Sequence, residues 1–464
     1  MEFTWINHAS FLLKTGGVRL VADPWLEAAI FSNSWDLLCK SRFQPADFAG
    51  VTYIWISHEH PDHFSPATLR SIPPETRRNI TVLIQPTRDR KVLEYCRGLG
   101  FGGVEEVPAG TWLQIAPDVE IMVQPEKMDD SWLAVRAEGR LVLNLNDCLL
   151  TSDVELKRIA LELGQPVDVL LTQFSFAAWI GNQGDVEAHR RSRREALERI
   201  TVQTRVLAPR WVIPCASFVW FCHEENAYMN RELNKVHDVV AHLRAETHTT
   251  PIVMYPGDRW QPGTKADPTP QALERYAEEY ASIPSRPLLK SQSVEIETLA
   301  GLADNWRKRL LSFHGLPLLL LHYAHRLPPT FVWLKDAGVA ARLSLGGLVP
   351  IFLMESQCDM AMTSEALGQF LGQMYGGMTL VISGRFQSPS GSKYLGNGGT
   401  PPAFRRYVTF ADDANHGWPV WRELLFRLWS KLPGVCGSDW LVRHTPPHDR
   451  PPPIEQFLGS ERAG

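Results

Sequence analysis

The sequence predicts an α/β fold, a two-sheet sandwich with outer helices, followed by a C-terminal α+β domain. Short strand patterns with glycine turns fill residues 1–30, and strand patterns then alternate with helix patterns as far as residue 213. A proline-rich stretch at 261–287 separates this region from the remainder of the chain. We therefore expect one domain at 1–265 and a second at 285–464.

The strand predictions rest on apolar runs that are rich in β-branched and aromatic residues. In chain order these runs fall at 3–6, 11–13, 18–21, 51–56, 81–84, 119–123, 132–135, 141–144, 167–171 and 206–213. Helix patterns fall at 88–99, which ends before Gly100, and at 187–200. In the C-terminal domain we expect strands at 340–343 and 379–382 and a helix at 364–374.

Composition excludes several classes of protein. The 464 residues are 44% hydrophobic and 21% charged, and the net charge of −4 gives no overall field that favours nucleic acid. The longest apolar run, 316–321, is far shorter than the ~20 residues that span a bilayer, and the N-terminus has no signal pattern. Seven scattered cysteines do not indicate a disulfide framework, so we expect a cytoplasmic protein. From the charge and the apolar runs we expect neither nucleic-acid nor membrane partners. The 16 tryptophans favour either an aromatic-walled pocket or plain packing.

One loop carries most of the chemistry that the sequence predicts. His58, His60, Asp62 and His63 follow directly after the apolar run 51–56, so the end of a strand places them together. Imidazole and carboxylate groups suit zinc, iron or manganese better than calcium or magnesium. A single histidine is usually a packed or surface residue, whereas four such groups at this spacing predict a metal site. No arrangement in the sequence indicates a covalent nucleophile or a phosphate-binding loop.

This H-x-H-x-D-H motif resembles the metallo-β-lactamase superfamily, whose fold is an αββα sandwich with a two-metal site at one sheet edge. The resemblance implies that His58 and His60 hold one metal and that Asp62 and His63 hold the other. The segments 6–10, 22–26, 144–148 and 214–218 further resemble the CMP-N-acetylneuraminate hydroxylase branch.

Two aspartates at strand ends complete the centre that this resemblance implies. Asp147 ends an apolar run where the superfamily places the carboxylate that bridges the metals, although such an aspartate is otherwise commonly a turn or cap residue. Asp23 corresponds to an aspartate that orients metal ligands through hydrogen bonds, so we expect it to support ligands instead of binding a metal.

The sequence departs from the superfamily at one ligand. A further histidine is normal before the strand that ends at Asp147, but none occurs between His63 and Asp147. Counting back without gaps places Glu126 there, which resembles the diiron β-hydroxylase of chloramphenicol biosynthesis. Because a carboxylate makes the site more anionic, it favours iron over zinc. Three other interpretations stay open. In the first, Glu126 is a surface residue, and in the second, Asp129 or Asp130 is the ligand. In the third, Asp130 supports either Glu126 or the following strand.

Three residues further along the chain are candidates for the same site. His223 is the only histidine in the segment 216–226, and the resemblance implies that it is the last metal ligand. Gln173 and Trp179 follow a predicted buried strand and are candidate substrate contacts.

The resemblance implies a nonheme diiron monooxygenase. Such a hydroxylase uses two Fe ions and O2 to hydroxylate a C–H bond, here of a bulky small-molecule substrate such as a natural product. The sialic-acid hydroxylase branch carries a Rieske segment, but the 464 residues contain no Cys-x-His or Cys-x-x-His pair. We therefore expect an external electron donor, a reductase or ferredoxin. The alternatives are a hydrolase with two Zn ions and, third, a binding protein that retains a structural metal.

Overall fold

The computed structural model describes residues 1–126, 130–389 and 401–417. The chain forms two compact units. Unit one comprises Met1–Ala177, His189–Cys222 and Met229–Leu288. Unit two comprises Ala178–Ala188, His223–Tyr228 and the chain from Leu289 onward.

The described residues of unit one form sixteen strands. They are β1 Glu2–Asn7, β2 Ser10–Thr15, β3 Val18–Ala22, β4 Trp35–Leu37, β5 Tyr53–Ile56, β6 Thr81–Ile84, β7 Gly103–Glu106, β8 Leu113–Ala116, β9 Val119–Pro125, β10 Ser131–Ala137, β11 Arg140–Asn146, β12 Val169–Gln173, β13 Trp211–Cys215, β14 Val219–Phe221, β15 Thr250–Pro251 and β16 Arg259–Trp260. Two seven-stranded sheets have the orders β16-β1-β2-β3-β5-β6-β7 and β15-β13-β12-β11-β10-β9-β8, and β4 pairs with β14 in a small ribbon.

Each large sheet begins as an antiparallel meander and continues in parallel. β1, β2 and β3 pair antiparallel, and β3, β5, β6 and β7 are parallel neighbours. In the other sheet β8 to β11 are antiparallel, and β11, β12 and β13 are parallel. The turn between β2 and β3 requires glycine, because Gly16 has φ +50° and an added Cβ would lie 2.6 Å from Val119.

In the part of unit one that the structure describes, seven helices accompany these sheets. They are α1 Pro66–Ser71, α2 Pro74–Arg77, α3 Lys91–Gly98, α4 Asp153–Leu163, α5 Val186–Leu207, α6 Val236–Glu246 and α7 Thr269–Ser282. Short 3-10 helices lie at Pro45–Phe48, Ala227–Glu232 and Ile283–Ser285.

The packing of unit one is that of an αββα sandwich. One apolar cluster joins side chains of both large sheets, including Trp55 and Leu143, and extends to Leu156 on α4. A second cluster joins the first sheet to α1 and α3 through residues such as Leu69 and Leu93. The predicted fold class is therefore confirmed.

Two strand predictions are wrong. The run 206–213 is divided between the end of α5 and the start of β13, because Ala208 has φ +46° and Pro209 follows it. The run 379–382 lies inside a helix of unit two, Gly376–Ser383, where Leu380 and Ile382 are buried. Burial of those side chains outweighs the strand preference of the β-branched residues.

The proline-rich stretch 261–287 contains α7 instead of a linker. Pro268 and Pro270 stand at the start of this helix, where a missing N–H costs no hydrogen bond. Ala272, Tyr276 and Tyr280 then pack into the core of unit one. Unit one accordingly extends beyond residue 265, to Leu288.

Unit two is an α+β unit with one four-stranded sheet of order β19-β18-β17-β20. Its strands are β17 Thr330–Leu334, β18 Val339–Ser344, β19 Gly347–Ile351 and β20 Met360–Met362, and a 3-10 helix lies at Glu355–Gln357. Its helices are α8 Ile296–Tyr323, α9 Ser364–Gly372, α10 Gly376–Ser383 and α11 Pro402–Asn415. Arg385 is 1% exposed and pairs with Glu225 at 2.8 Å and Glu365 at 2.6 Å.

Two further features concern the whole described chain. No helix in residues 1–126, 130–389 and 401–417 combines the length and apolar character that crossing a membrane requires. Six cysteines lie in these ranges, all buried and none in a disulfide: Cys39, Cys96, Cys148, Cys215, Cys222 and Cys358.

Candidate metal centre

The ends of four strands in unit one bring the candidate ligands together. Asp23 follows β3, the segment 57–63 follows β5, Asp147 follows β11, and Gln173 ends β12. These strands run parallel to their neighbours β5, β6, β12 and β13, so their carboxyl ends lie at one edge of each sheet. In an α/β fold this edge is the usual place for a functional site.

The backbone at this edge is bent into an uncommon conformation. His8, Asp23, Asn146 and Ala216 have φ values of +25°, +41°, +49° and +49°. Left-handed backbone is rare outside glycine and is found most often at His, Asp and Asn among other residues. The Ala216 N–H donates to the carbonyl of His8 at 2.8 Å, which joins two of these turns. Such strained turns concentrate at functional sites.

Asp23 is the centre of a buried hydrogen-bond network and is 0% exposed. Its Oδ1 accepts the backbone N–H of Ser57 at 2.8 Å, and its Oδ2 accepts the Ser57 hydroxyl at 2.8 Å. Oδ2 also lies 2.9 Å from Nδ1 of His63 and accepts the side-chain amide of Asn146. A carboxylate that holds Nδ1–H leaves Nε2 of the imidazole available for a metal. Asp23 thus contacts the candidate ligand His63, and its role in supporting a metal ligand stays a prediction.

Among the described residues of unit one, three overlapping groups of side chains could hold metal ions. Within each group the nitrogen and oxygen ligand atoms lie within 4.8 Å of one another. The groups are His58, His60 and Asp130; His8, Asp62 and His63; and His58, His63 and Asp147. Because His58 and His63 each belong to two groups, the ligand sets are contiguous.

The distances between ligand atoms show how close these groups are. Nε2 of His58 lies 2.8 Å from Nδ1 of His60, and Nε2 of His63 lies 3.3 Å from Oδ2 of Asp62. The same Nε2 of His63 lies 3.4 Å from Oδ2 of Asp147. The structure therefore brings together five of the seven predicted metal ligands.

Glu126 is not in any of these groups, whereas Asp130, the alternative that the sequence leaves open, lies in the group with His58 and His60. Oδ1 of Asp130 lies 3.6 Å from Nε2 of His58. Oε1 of Glu126 accepts the indole N–H of Trp132 at 3.2 Å and lies 3.8 Å from Arg158. The Glu126 N–H donates to the Asp130 carbonyl, so the two acidic residues are paired across β9 and β10. Counting residues back from Asp147 does not use this pairing, and the ligand role of Glu126 stays a prediction. Asp129 lies outside the described residues.

His223 also lies outside the three groups, and it belongs to unit two. Its Nδ1 accepts the backbone N–H of Glu225 at 3.2 Å, and its buried Nε2 has no hydrogen-bond partner among the described residues. An imidazole whose Nδ1 accepts a hydrogen bond carries its proton on Nε2 when it is neutral. The role of His223 as a metal ligand stays a prediction.

The two predicted substrate contacts differ in position. Trp179 belongs to unit two, where its ring lies 4.7 Å from that of Phe386. Gln173 lies at the centre, where its side-chain amide donates to Oδ1 of Asp147 at 2.9 Å. Its position favours support of a metal ligand over contact with substrate.

His8 and Arg199 are residues of the centre that the predicted ligand set omits. Nε2 of His8 lies 3.3 Å from Oδ2 of Asp62. Arg199 on α5 donates to Gln173 at 2.7 Å. Arg199 lies three residues from buried Ala196 and eight from buried Leu207, close to the apolar stripe of α5. An arginine at this helical spacing from apolar residues is a weak sequence signal for a buried position.

Charge and burial set the protonation of the centre. Burial lowers the pKa of His63, but Asp62, Asp147 and Asp23 outweigh this effect and raise that pKa well above the usual value. Burial raises the pKa of Asp62, but His63 and His8 outweigh it and lower that pKa well below the usual value. Burial, with His63 and His60, lowers the pKa of His58 well below its usual value. Without a metal, a proton on His63 therefore balances the surrounding carboxylates.

The residues present fit a metal centre. Nε2 of His63, Oδ1 of Asp62 and Nδ1 of His8 are buried and have no hydrogen-bond partner among the described residues. Unsatisfied buried groups are costly unless a cation or water completes them. The donors are imidazole nitrogens and carboxylate oxygens, which suit iron, zinc or manganese.

A comparison with family models concerns the first part of this unit. Residues 2–138 match the model described as Beta-lactamase superfamily domain. This segment is therefore similar to a β-lactamase superfamily domain. It includes the His58–His63 loop and Asp130, and the αββα packing extends through the rest of unit one.

Curated relatives include hydroxylases and proteins with a Rieske name. A "Putative Rieske 2Fe-2S iron-sulfur protein" of Mycolicibacterium smegmatis is 26% identical over 286 residues, which are 55% of this chain and 52% of the relative. The cytidine monophosphate-N-acetylneuraminic acid hydroxylase of Danio rerio is 30% identical over 191 residues, 38% of this chain and 30% of the relative. The chain thus spans about half the length of these relatives, or less.

Solved structures with similar folds include a hydroxylase and a hydrolase. A mutant of CmlA beta-hydroxylase has a TM-score of 0.41 and 18% identity, covering 56% of this chain and 53% of that one. An isothiocyanate hydrolase from Delia radicum gut bacteria has a TM-score of 0.39 and 12% identity, covering 56% of this chain and 98% of that one.

Proposed function

We propose that this protein is a nonheme diiron monooxygenase that hydroxylates a C–H bond of a bulky small-molecule substrate. One observation carries the proposal: three contiguous groups of imidazole and carboxylate donors lie at one sheet edge, and a carboxylate, Asp130, accompanies His58 and His60. A carboxylate in place of an imidazole favours iron over zinc. The relatives named as hydroxylases support the same reaction class.

The proposed ligands divide into two sets. His58, His60 and Asp130 would hold one iron, His63 and Asp62 would hold the other, and Asp147 would bridge them. Two irons would supply the reduction of O2 and the oxidation of the C–H bond. The electrons would come from a separate reductase or ferredoxin.

The protein's own residues orient the ligands and exclude water. Asp23 holds Nδ1 of His63 so that Nε2 faces Asp62 and Asp147. Asp62, His63 and Asp23 are 3%, 0% and 0% exposed, so bulk water does not reach this half of the centre. Low exposure strengthens the attraction between the carboxylates and a cation.

A cluster of aromatic side chains beside His60 supports the proposal that the substrate is apolar. The ring of Phe31 lies 6.0 Å from that of His60 and 4.8 Å from that of Trp35. Trp35 contacts Phe221, on which Phe176 stacks at 5.9 Å. Aromatic side chains of this kind bind ring-bearing or aliphatic groups through apolar contact. His60 is only partly buried, which leaves this ligand open toward a substrate.

The deciding experiment measures metal content and the electronic state of the metal. Protein produced with iron supplementation is analysed for Fe and Zn and examined by Mössbauer spectroscopy. Two Fe per chain with the signal of an exchange-coupled pair, and O2 consumption with a reductase and candidate substrates, support the proposal. Stoichiometric zinc with esterase or phosphodiesterase turnover establishes a hydrolase instead.

A further inference from the structure

A guanidinium group lies one side chain away from the candidate bridging carboxylate. Arg199 on α5 donates through Nη2 to Oε1 of Gln173 at 2.7 Å and to the carbonyl of Ser175 at 3.3 Å. Gln173 in turn donates through Nε2 to Oδ1 of Asp147 at 2.9 Å. Burial lowers the pKa of Arg199 to about 10, so the guanidinium remains protonated at neutral pH.

The chemistry of the three groups fixes the orientation of the glutamine. Arg199 can only donate hydrogen bonds, and an ionised Asp147 can only accept them. Gln173 offers one acceptor and one donor, so its oxygen must face Arg199 and its nitrogen must face Asp147. Gln173 is 3% exposed, which leaves little room for the amide to turn over. Arg199 thus determines which end of the amide reaches the carboxylate.

This arrangement also determines the orientation of the Asp147 carboxylate. Oδ1 is held by Gln173, and Oδ2 lies 3.4 Å from Nε2 of His63. The amide supplies a hydrogen bond without placing a full positive charge against a carboxylate that must bind cations. A direct arginine contact would instead compete with the metals for the same charge.

We propose that Arg199 and Gln173 form a positioning pair that fixes the orientation of Asp147 for metal binding. This inference rests on the proposed metal centre, but not on the reaction that the metals catalyse. Partners behind a metal ligand typically change metal affinity by about 10–100-fold when they are removed. Neither residue acts as a ligand in the proposal.

A double-mutant cycle with Co(II) as the probe tests the pair. The variants are Gln173→Leu, Arg199→Met and the double variant, and their Co(II) affinity is measured by competition with a chelator. We expect each single variant to bind Co(II) about 10–100-fold more weakly. We expect the double variant to bind within about 3-fold of Gln173→Leu, because Arg199 acts only through the glutamine. The ligand-field spectrum of the bound Co(II) should change in the same variants.

Two controls separate positioning from folding. Arg193→Met removes another α5 arginine, which pairs with Asn234 and Asp238, and should leave Co(II) affinity unchanged. Arg199→Lys retains a cationic donor and should recover most of the affinity that Arg199→Met loses. Far-UV circular dichroism of each metal-free variant shows whether it folds, and the lysine variant serves if the methionine variant does not.

The outcomes distinguish this inference from the proposed function. Two results would overturn the positioning pair: a loss of Co(II) affinity in the double variant equal to the product of the two single losses, or unchanged Co(II) affinity in both single variants. Two metals bound by the unaltered protein would still support the proposed centre in either case. Failure of the unaltered protein to bind Co(II) or Fe(II) would overturn both. Coupled effects in a protein that hydrolyses esters would retain the pair and reject the monooxygenase.

Discussion

Replacing Asp23 with asparagine tests the hydrogen-bond network directly. The substitution keeps size and one oxygen, so the Ser57 N–H retains an acceptor. The new amide group replaces Oδ2 and faces the donors of His63 and Asn146. His63 can accept a hydrogen bond from the new amide only through a deprotonated Nδ1, which leaves its remaining proton on Nε2, the nitrogen that faces Asp62 and Asp147.

The expected magnitudes follow from the number of groups left unpaired. One or two buried donors without an acceptor cost about 1–3 kcal/mol each, so the metal-free protein should lose about 2–4 kcal/mol of unfolding free energy. Loss of the correct His63 tautomer should weaken Co(II) binding by at least about 10–100-fold. Urea titration and chelator competition measure these two quantities.

Asp168→Asn is the matched control for this experiment. It makes the same change at an aspartate that accepts the Leu141 N–H at 2.9 Å, at the opposite end of β11 from Asp147. We expect a modest loss of stability, about 1 kcal/mol, with little change in Co(II) affinity. An Asp23→Asn protein that binds Co(II) as tightly as the unaltered protein would refute the tautomer argument.

Three further predictions concern the ligands, the pH dependence and unit two. Asp130→Asn should lower the iron content of the purified protein sharply, whereas Glu126→Gln should leave it nearly unchanged, as measured by metal analysis. Co(II) affinity should rise by up to about tenfold per pH unit below the raised pKa of His63, because the ion must displace the proton of that residue. Arg385→Met should destabilise unit two by about 3 kcal/mol in urea titration, since it removes the buried guanidinium that balances the charges of Glu225 and Glu365.

Each of these predictions has a result that contradicts it. Greater iron loss in Glu126→Gln than in Asp130→Asn would restore the ligand predicted from the sequence. Co(II) affinity independent of pH would mean that His63 carries no displaceable proton. For Arg385→Met, replacement of exposed Arg97 with methionine is the control, because its pair with Glu94 lies at the surface and contributes little. A loss of stability in Arg385→Met no greater than in the Arg97 variant would contradict the prediction.

In the metal-free centre, Asp62 and His63 also make the free energy of unfolding depend on pH, and the two dependences have opposite signs. The folded pKa of Asp62 is lowered, so its contribution is present above the usual aspartate pKa and is lost as pH falls through the folded value. The folded pKa of His63 is raised, so its contribution is present below the usual histidine pKa and is lost as pH rises through the folded value. The combined stabilisation is therefore greatest between the usual aspartate pKa and the usual histidine pKa, and it declines as pH rises from there toward the raised pKa of His63.

Local patterns in the sequence were sufficient for the sandwich fold and for the main ligand loop. His58 to His63 are contiguous, and the strand before them is a clear apolar run, so their convergence required no knowledge of distant contacts. Asp147 was also predictable as a candidate, because the end of a buried strand is a local feature. Strand predictions failed at 206–213 and 379–382, where tertiary packing determines the conformation.

Residues defined by distant contacts could not be found in this way. Asp130 and Glu126 differ only by four positions, and the register of β9 with β10 decides which one faces His58. Arg199 approaches the centre through Gln173, which lies 26 residues earlier in the chain. His223 matched a motif locally, but the fold places it in unit two with its Nδ1 already occupied.

The buried cysteines of unit one have a consequence for how the protein tolerates oxidants. Burial first, and then neighbouring acidic groups such as Asp147, raise the pKa of Cys148 and Cys215 well above the usual value. Only the thiolate reacts readily with peroxide or alkylating reagents. The thiols of Cys148 and Cys215 therefore stay chemically inert while the chain is folded. Their modification by iodoacetamide reports the opening of the sandwich.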